Sequence, residues 1–385
     1  MLESPAAVIA LLSAVCAFFF WLERRTEWAV FRYFPPLLFI YALPVVLRNT
    51  GVLPATSAAY DALGDVVLPS FLVLMLVGID VRAAFEVAGR GIVVMLAGSA
   101  GIVLGAVASY ALVASLLPPD AWKQFGALSG AWIGGTGNMA AVAGGMGLEP
   151  SDLGVAILAD NVIYVVWLPI LLSSRTFADR FNRWARVDPE RVRRLEQASV
   201  ADTEPRAITL VDILYLIAIT AAIVWVSARV ADMLPTIEPV LSHSTWRTLV
   251  ITTLALAVSF TPARDIPGSR AAGLALVYLF LAGMGARASL GGLTEAPVFL
   301  AACFLWIAIH GAFLLVAARL LRVDIHTAAI ASAANIGGAA SAPVVAAHHR
   351  ESLVPISILM ALMGYAAGNY LAVLTSQLCW WVAPG

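Results

Sequence analysis

Ala131-Trp132-Ile133-Gly134-Gly135-Thr136-Gly137-Asn138 returns, 203 residues later, as Ala334-Asn335-Ile336-Gly337-Gly338-Ala339-Ala340-Ser341. Without a gap the match runs on from Val142-Ala143 to Val345-Ala346, so six of thirteen aligned positions are identical. A repeat inside the chain governs how the rest is read. Glycine lowers helix stability by about 1 kcal/mol relative to alanine, and an adjacent pair concentrates that loss at one point. A helix broken at membrane depth exposes N–H and C=O groups that hydrocarbon cannot satisfy, so the break survives only inside protein or beside a wet cavity. There the helix ends can hold a solute, because N-termini carry partial positive charge and C-terminal carbonyls partial negative charge. The plainer account of one Gly-Gly pair is close helix packing. Two matched copies favour the break.

The sequence around these motifs is that of a membrane protein. Of 385 residues, 61% are hydrophobic and 12% charged, and apolar runs near span length recur from end to end. The first, about 5–22, lacks a preceding basic stretch and a following small-residue cleavage site, and is read as a retained span. Cys16, Cys303 and Cys379 are scattered in apolar segments, which gives neither a disulfide framework nor a zinc-ligand spacing. The formal net charge of -1 offers no pull toward nucleic acid. The sequence has no His-Glu-x-x-His helix, no Gly-x-Ser-x-Gly elbow and no phosphate loop with its lysine. The expectation is a non-enzyme, with no catalytic set, metal site or cofactor.

Hydropathy divides the chain into apolar segments near 5–22, 34–49, 65–80, 91–117, 124–146, 151–174, 208–230, 246–261, 271–286, 295–318, 326–347 and 352–382. These fall as an N-terminal membrane repeat, 1–174, a linker, 175–207, and a C-terminal membrane repeat, 208–385. The stretch Arg175 to Arg206 holds eight arginines and six acidic residues, which places it in the cytoplasm by the positive-inside rule. Gly78-Ile79-Asp80-Val81-Arg82-Ala83 and Gly283-Met284-Gly285-Ala286-Arg287-Ala288 give a second match between the halves. Arg24, Arg25 and Arg32 ask for the cytoplasm after the first span. Both demands hold if one of the intervening five segments does not cross: the short 34–49 segment, or the glycine segment if it is re-entrant. The halves would then run in opposite directions, as two inverted repeats. The fold class expected is all-α and polytopic, with 10–12 helical segments and discontinuous crossing helices.

Gly134, Gly135, Thr136, Gly137, Asn138, Asn335, Gly337, Gly338 and Ser341 are the candidate solute shell, rich in neutral donors and acceptors. Asp160 sits near the middle of an apolar segment, where an ionisable side chain is costly and usually functional. With Asn161 it could coordinate Na⁺ or carry a proton. The structural alternative makes it a packing carboxylate, satisfied by Tyr164 or a neighbouring helix. His310 reads as a packed, hydrogen-bonded histidine, His348-His349 as interfacial, and Gly98, Gly101 and Gly105 as a close helix contact.

The run Trp132 to Ala143 with Asp160 and Trp167, and then Ala334-Asn335-Ile336-Gly337-Gly338, Ala342-Pro343 and Gly364-Tyr365-Ala366-Ala367-Gly368-Asn369-Tyr370, resemble the bacterial membrane family catalogued as domain of unknown function 819. The resemblance covers nearly the whole chain. It implies kinship with sodium/proton antiporters and bile-acid/sodium symporters, whose inverted repeats cross at the ion and substrate site. In such antiporters a carboxylate pair or an Asn-Asp pair follows the first crossing helix, and Asp160-Asn161 holds a similar place in reversed order. The expected function is a secondary active transporter of the bacterial inner membrane. It would move a small organic solute, an anion being favoured by helix dipoles, coupled to Na⁺ or H⁺. A monovalent cation/proton antiporter is the alternative. Another class, an intramembrane enzyme or assembly factor, would need a second ionisable group beside Asp160 or His310. The partners expected are the solute and the lipid bilayer, and a homodimer is compatible with both.

Overall fold

The computed structural model describes residues 4–383 apart from 27, 29–30, 32–35, 83–87, 189–206, 238 and 289–295. The N-terminal half supplies α1 (Pro5–Thr26), α2 (Pro36–Asn49), α3 (Ala58–Val77), α4 (Arg90–Val113), α5 (Ala121–Gly145) and α6 (Pro150–Ser173). After the short α7 (Ala178–Ala185) come α8 (Leu210–Met233), α9 (His243–Ser259), α10 (Ser269–Arg287) and α11 (Ala296–Leu321). The glycine pair then separates α12 (Ile325–Asn335) from α13 (Gly338–His349), and α14 (Val354–Trp381) ends the fold. Among the described residues the extended structure named is an isolated bridge between Ile237 and Leu241. The molecule is an all-α polytopic membrane protein, with eight helices long and apolar enough to span a bilayer among the described residues. In lipid, a helix satisfies its own backbone groups. Of the polar linker, residues 189–206 lie outside the described residues.

Helices of the two halves interleave. Peripheral α1 and α8 are the least buried of the spanning helices, and α8 turns Leu214, Ile217 and Trp225 outward. Packing follows swapped couples: α2 lies on α10 and α3 on α9, α1 lies on α10 and α8 on α3, while α3 meets α10 and α4 meets α11. Small residues set the α4–α11 seam. A Cβ at Gly98 would stand 2.9 Å from the His310 ring, one at Gly101 2.7 Å from Phe313, and one at Gly105 2.7 Å from Trp306. The three glycines let α4 lie against α11, as their spacing suggests.

The interrupted helices correct one expectation. Each break stands where the repeat puts it, but neither segment continues across as a crossing helix; each folds back on itself. In α5 the backbone at Gly135 has φ 78 and ψ -178, and a Cβ at Gly130 would lie 3.2 Å from the Asn138 carbonyl. In a straight helix these residues would be about 12 Å apart. We call α5 hairpin 1. In α12 and α13, His326 near the start of one leg reaches His349 at the end of the other, with Nδ1 atoms 2.9 Å apart; this is hairpin 2. The reversal is possible because Gly135, Gly337 (φ 105) and Gly338 (φ 60) occupy backbone regions that side chains disfavour. Each glycine segment thus returns to the end of the α4–α11 pair from which it starts.

Candidate functional site

The two hairpins enter from opposite ends of the α4–α11 pair. At the mouth of hairpin 1, Phe125 stacks edge-on with Tyr110 at the end of α4 and Phe299 at the start of α11, with centroids 5.1 and 4.9 Å apart. At the mouth of hairpin 2, a Cβ on Gly91 at the start of α4 would sit 3.0 Å from Thr327. There Arg90 also donates to the Leu321 carbonyl at the end of α11, at 3.3 Å. The tips meet between these mouths. A Cβ on Gly338 would be 3.9 Å from the Gly135 Cα, and the Tyr365 ring lies against both glycines.

Hairpin 1 is seated on α14 by the absence of side chains. A Cβ on Gly364 would run into the Ile133 carbonyl, and one on Gly368 into the Asn138 amide. Asn138, buried, donates from Nδ2 to the Tyr365 carbonyl at 3.1 Å. Gly137 faces Met75 and Val277, so the second leg lies against α3 and α10. Thr136 is partly buried beside the tip.

Hairpin 2 is seated on α4. The buried Asn335 donates from Nδ2 to the Met95 carbonyl at 3.0 Å, and its Oδ1 accepts from the Ser99 hydroxyl at 3.2 Å. Asn335→Ala removes two bonds at a site with no water access and is expected to lower stability by about 2–3 kcal/mol. Thermal unfolding of the purified protein in detergent measures it.

One stripe of α6 faces the hairpins: Asp160 toward hairpin 1, Tyr164 and Trp167 toward hairpin 2, at i, i+4 and i+7. Asp160 Oδ1 accepts from Trp132 Nε1 at 3.0 Å. The Tyr164 hydroxyl is hydrogen-bonded to Ser341, and its ring lies against Gly337. Trp167 Nε1 donates to Ser332 Oγ at 2.9 Å. Asn161 turns elsewhere, its Nδ2 donating to the Ile157 carbonyl of its own helix at 2.7 Å.

His310 completes a chain behind hairpin 2. Its Nδ1 lies 2.9 Å from the Gly98 carbonyl and its Nε2 2.9 Å from Ser332 Oγ. A carbonyl can only accept, so Nδ1 carries the proton and Nε2 takes the Ser332 hydroxyl hydrogen. The Ser332 oxygen is then free to accept from Trp167. Trp167→Phe removes the last donor and the part of the indole that packs on Gly311, and is expected to cost about 1–3 kcal/mol in the same unfolding measurement.

The structure thus brings together Gly135, Gly337, Gly338 and Ser341 at the tips, with Asp160 beside hairpin 1 on Trp132, whereas Asn138 and Asn335 pin the hairpins to the scaffold. Sequence reasoning missed Tyr365 as the ring between the tips, and Ser332 and His326 as partners of the buried histidines. Among the described residues no group of three His, Cys, Asp or Glu could hold a metal ion.

A polytopic all-α membrane protein with two opposed, glycine-tipped helical hairpins is the class this arrangement defines. The chain belongs to the family described as "Protein of unknown function (DUF819)", whose match covers residues 10–380. It is 30% identical over 365 residues to "Uncharacterized membrane protein YjcL" of Bacillus subtilis (strain 168), covering 91% of this chain and 90% of that protein.

Proposed function

We propose that this protein is a secondary transporter of a small organic solute, coupled to Na⁺ or H⁺ through Asp160 and built from two inverted repeats. The observation that carries the reading is the meeting of two broken helices, entering from opposite ends, at positive-φ glycines beside one carboxylate. Backbone groups freed at such tips lie inside protein, where a solute can take them up. Asp160 has one Oδ engaged by Trp132 of hairpin 1 and lies one helical turn from Tyr164, whose ring lies against Gly337 of the second tip. His310, by contrast, has both nitrogens occupied by Gly98 and Ser332, a packing role that supports transport over acid–base catalysis with Asp160.

The swapped helix couples support the inverted-repeat reading, since a twofold exchange of the halves maps α2–α10 onto α9–α3 and α1–α10 onto α8–α3, and the α3–α10 and α4–α11 contacts onto themselves. With each hairpin returning to its own side, five segments cross in each half, an odd number that reverses the second. Arg90 and Arg175 donate to the Leu321 and His348 carbonyls at the mouth of hairpin 2, and Arg319 lies over Trp184 of α7, a basic set that the positive-inside rule assigns to the cytoplasm of a bacterial inner membrane.

The test is thermal unfolding of the purified protein against a panel of organic anions, in sodium or in choline chloride. A solute at a hundred times its Kd should add about 2.7 kcal/mol, and coupling to Na⁺ should confine that gain to sodium. A panel without a shift in either salt, at any pH between 5 and 8, counts against transport.

A further inference from the structure

Away from the tips, a cavity of about 380 Å³ opens at the mouth of hairpin 1. Three elements start or bend there. α9 contributes Ser244 and Arg247 from its first turns, α6 begins at Pro150, and α3 contributes the π-helical turn Leu63–Val67. A π turn takes backbone groups out of the ordinary helical ladder and often marks a site. Two helix N-termini, each the positive end of a helix dipole, share this one space.

Arg247 adds a full charge. Its Nη2 donates to the Asp65 carbonyl at 3.2 Å, while its Nε is buried without a hydrogen-bond partner. A guanidinium N–H shut from water and left unbonded is costly, and a turn of the Arg247 side chain into the cavity would present it to an acceptor there. Arg287 lines the same cavity from the end of α10. The carboxylates on the wall, Asp65 and Glu149, are exposed, and Asp65 also borders a separate groove on the outer side of α3. The inward wall is apolar, formed by Leu68, Phe280 and Met284.

We propose that this cavity binds an organic carboxylate with a compact apolar body, the carboxylate on Arg247 and the body against Leu68, Phe280 and Met284. The site is distinct from the space between the tips. Only its use as a vestibule for the transported solute rests on the transport reading.

The test uses the full chain carrying Ser244→Cys, labelled with a charged maleimide, with benzoate as probe. Benzoate should slow labelling at least about threefold over the background of the parent protein. Benzyl alcohol and benzylamine, of the same shape without the negative charge, should leave the rate unchanged. Adding Arg247→Gln should abolish protection, adding the exposed Arg287→Gln should weaken it, and adding Asp160→Asn should leave it intact. The proposal is overturned if benzoate gives no protection, if the neutral or cationic analogue protects equally, or if protection survives Arg247→Gln. If Arg247→Gln does not fold, the Arg287→Gln series and the analogues decide. A positive result beside absent solute transport would remove the vestibule role and keep the site.

Discussion

Exchange of Asp160 for asparagine is expected to abolish ion-driven accumulation while leaving the fold intact. The substitution keeps the shape and leaves an oxygen to accept from Trp132 Nε1, now 3.0 Å from the carboxylate, so the packing between α6 and hairpin 1 has little reason to change. What is lost is the charge. Holding a carboxylate at membrane depth costs about 2.5–3.5 kcal/mol, and a coupling interaction of that size corresponds to about a hundredfold in ion occupancy. Proteoliposomes carrying the variant should therefore accumulate solute no faster than empty vesicles, with an unfolding temperature in the absence of ligand at or above the parent's, since asparagine no longer bears the cost of the charge. Gradient-driven uptake that persists in the variant would remove Asp160 as the coupling site.

Gly135→Ala should lower stability by about 2–6 kcal/mol. At φ 78 and ψ -178 the backbone lies in a region that is essentially glycine's own, at a cost of about 1–3 kcal/mol for another residue. The new Cβ would also stand 2.9 Å from the Tyr365 ring, which adds about 1–3 kcal/mol of overpacking. The two parts separate experimentally. Tyr365→Ala in the Gly135→Ala background relieves the contact and leaves the backbone strain, so the double variant should recover part of the loss relative to the Tyr365→Ala parent. An unfolding temperature unmoved by Gly135→Ala would show that the tip does not need its reversed backbone.

The breaks were legible because their cause is local: Gly134-Gly135 and Gly337-Gly338 weaken a helix wherever they stand. Their consequence was not. A helix interrupted by two glycines has the same composition whether its legs diverge or fold back, and the choice is made by distant partners such as Gly364 and Gly368, which admit hairpin 1 onto α14. The seam of Gly98, Gly101 and Gly105 was readable from spacing alone, since small residues at that interval form one helix face. Asp160 stood out because an acid in an apolar run is costly, and the Asp160-Tyr164-Trp167 stripe could have been read from the same spacing rule. Asn161 adjoins Asp160 in sequence, yet one helical step turns it toward its own backbone. His326 gave no such signal. It lies 23 residues before His349, and only the return of hairpin 2 makes them neighbours.

Tyr365 rests its ring on both glycine turns at once, and no side chain on either turn cushions the contact. A close-packed interior passes displacement on rather than absorbing it. A shift of either turn toward the ring must therefore push the ring, the opposite turn or α14 itself. The aromatic works as a shared pivot: whatever grips one turn is felt by the other, and the two doors of the molecule hang on a single pin.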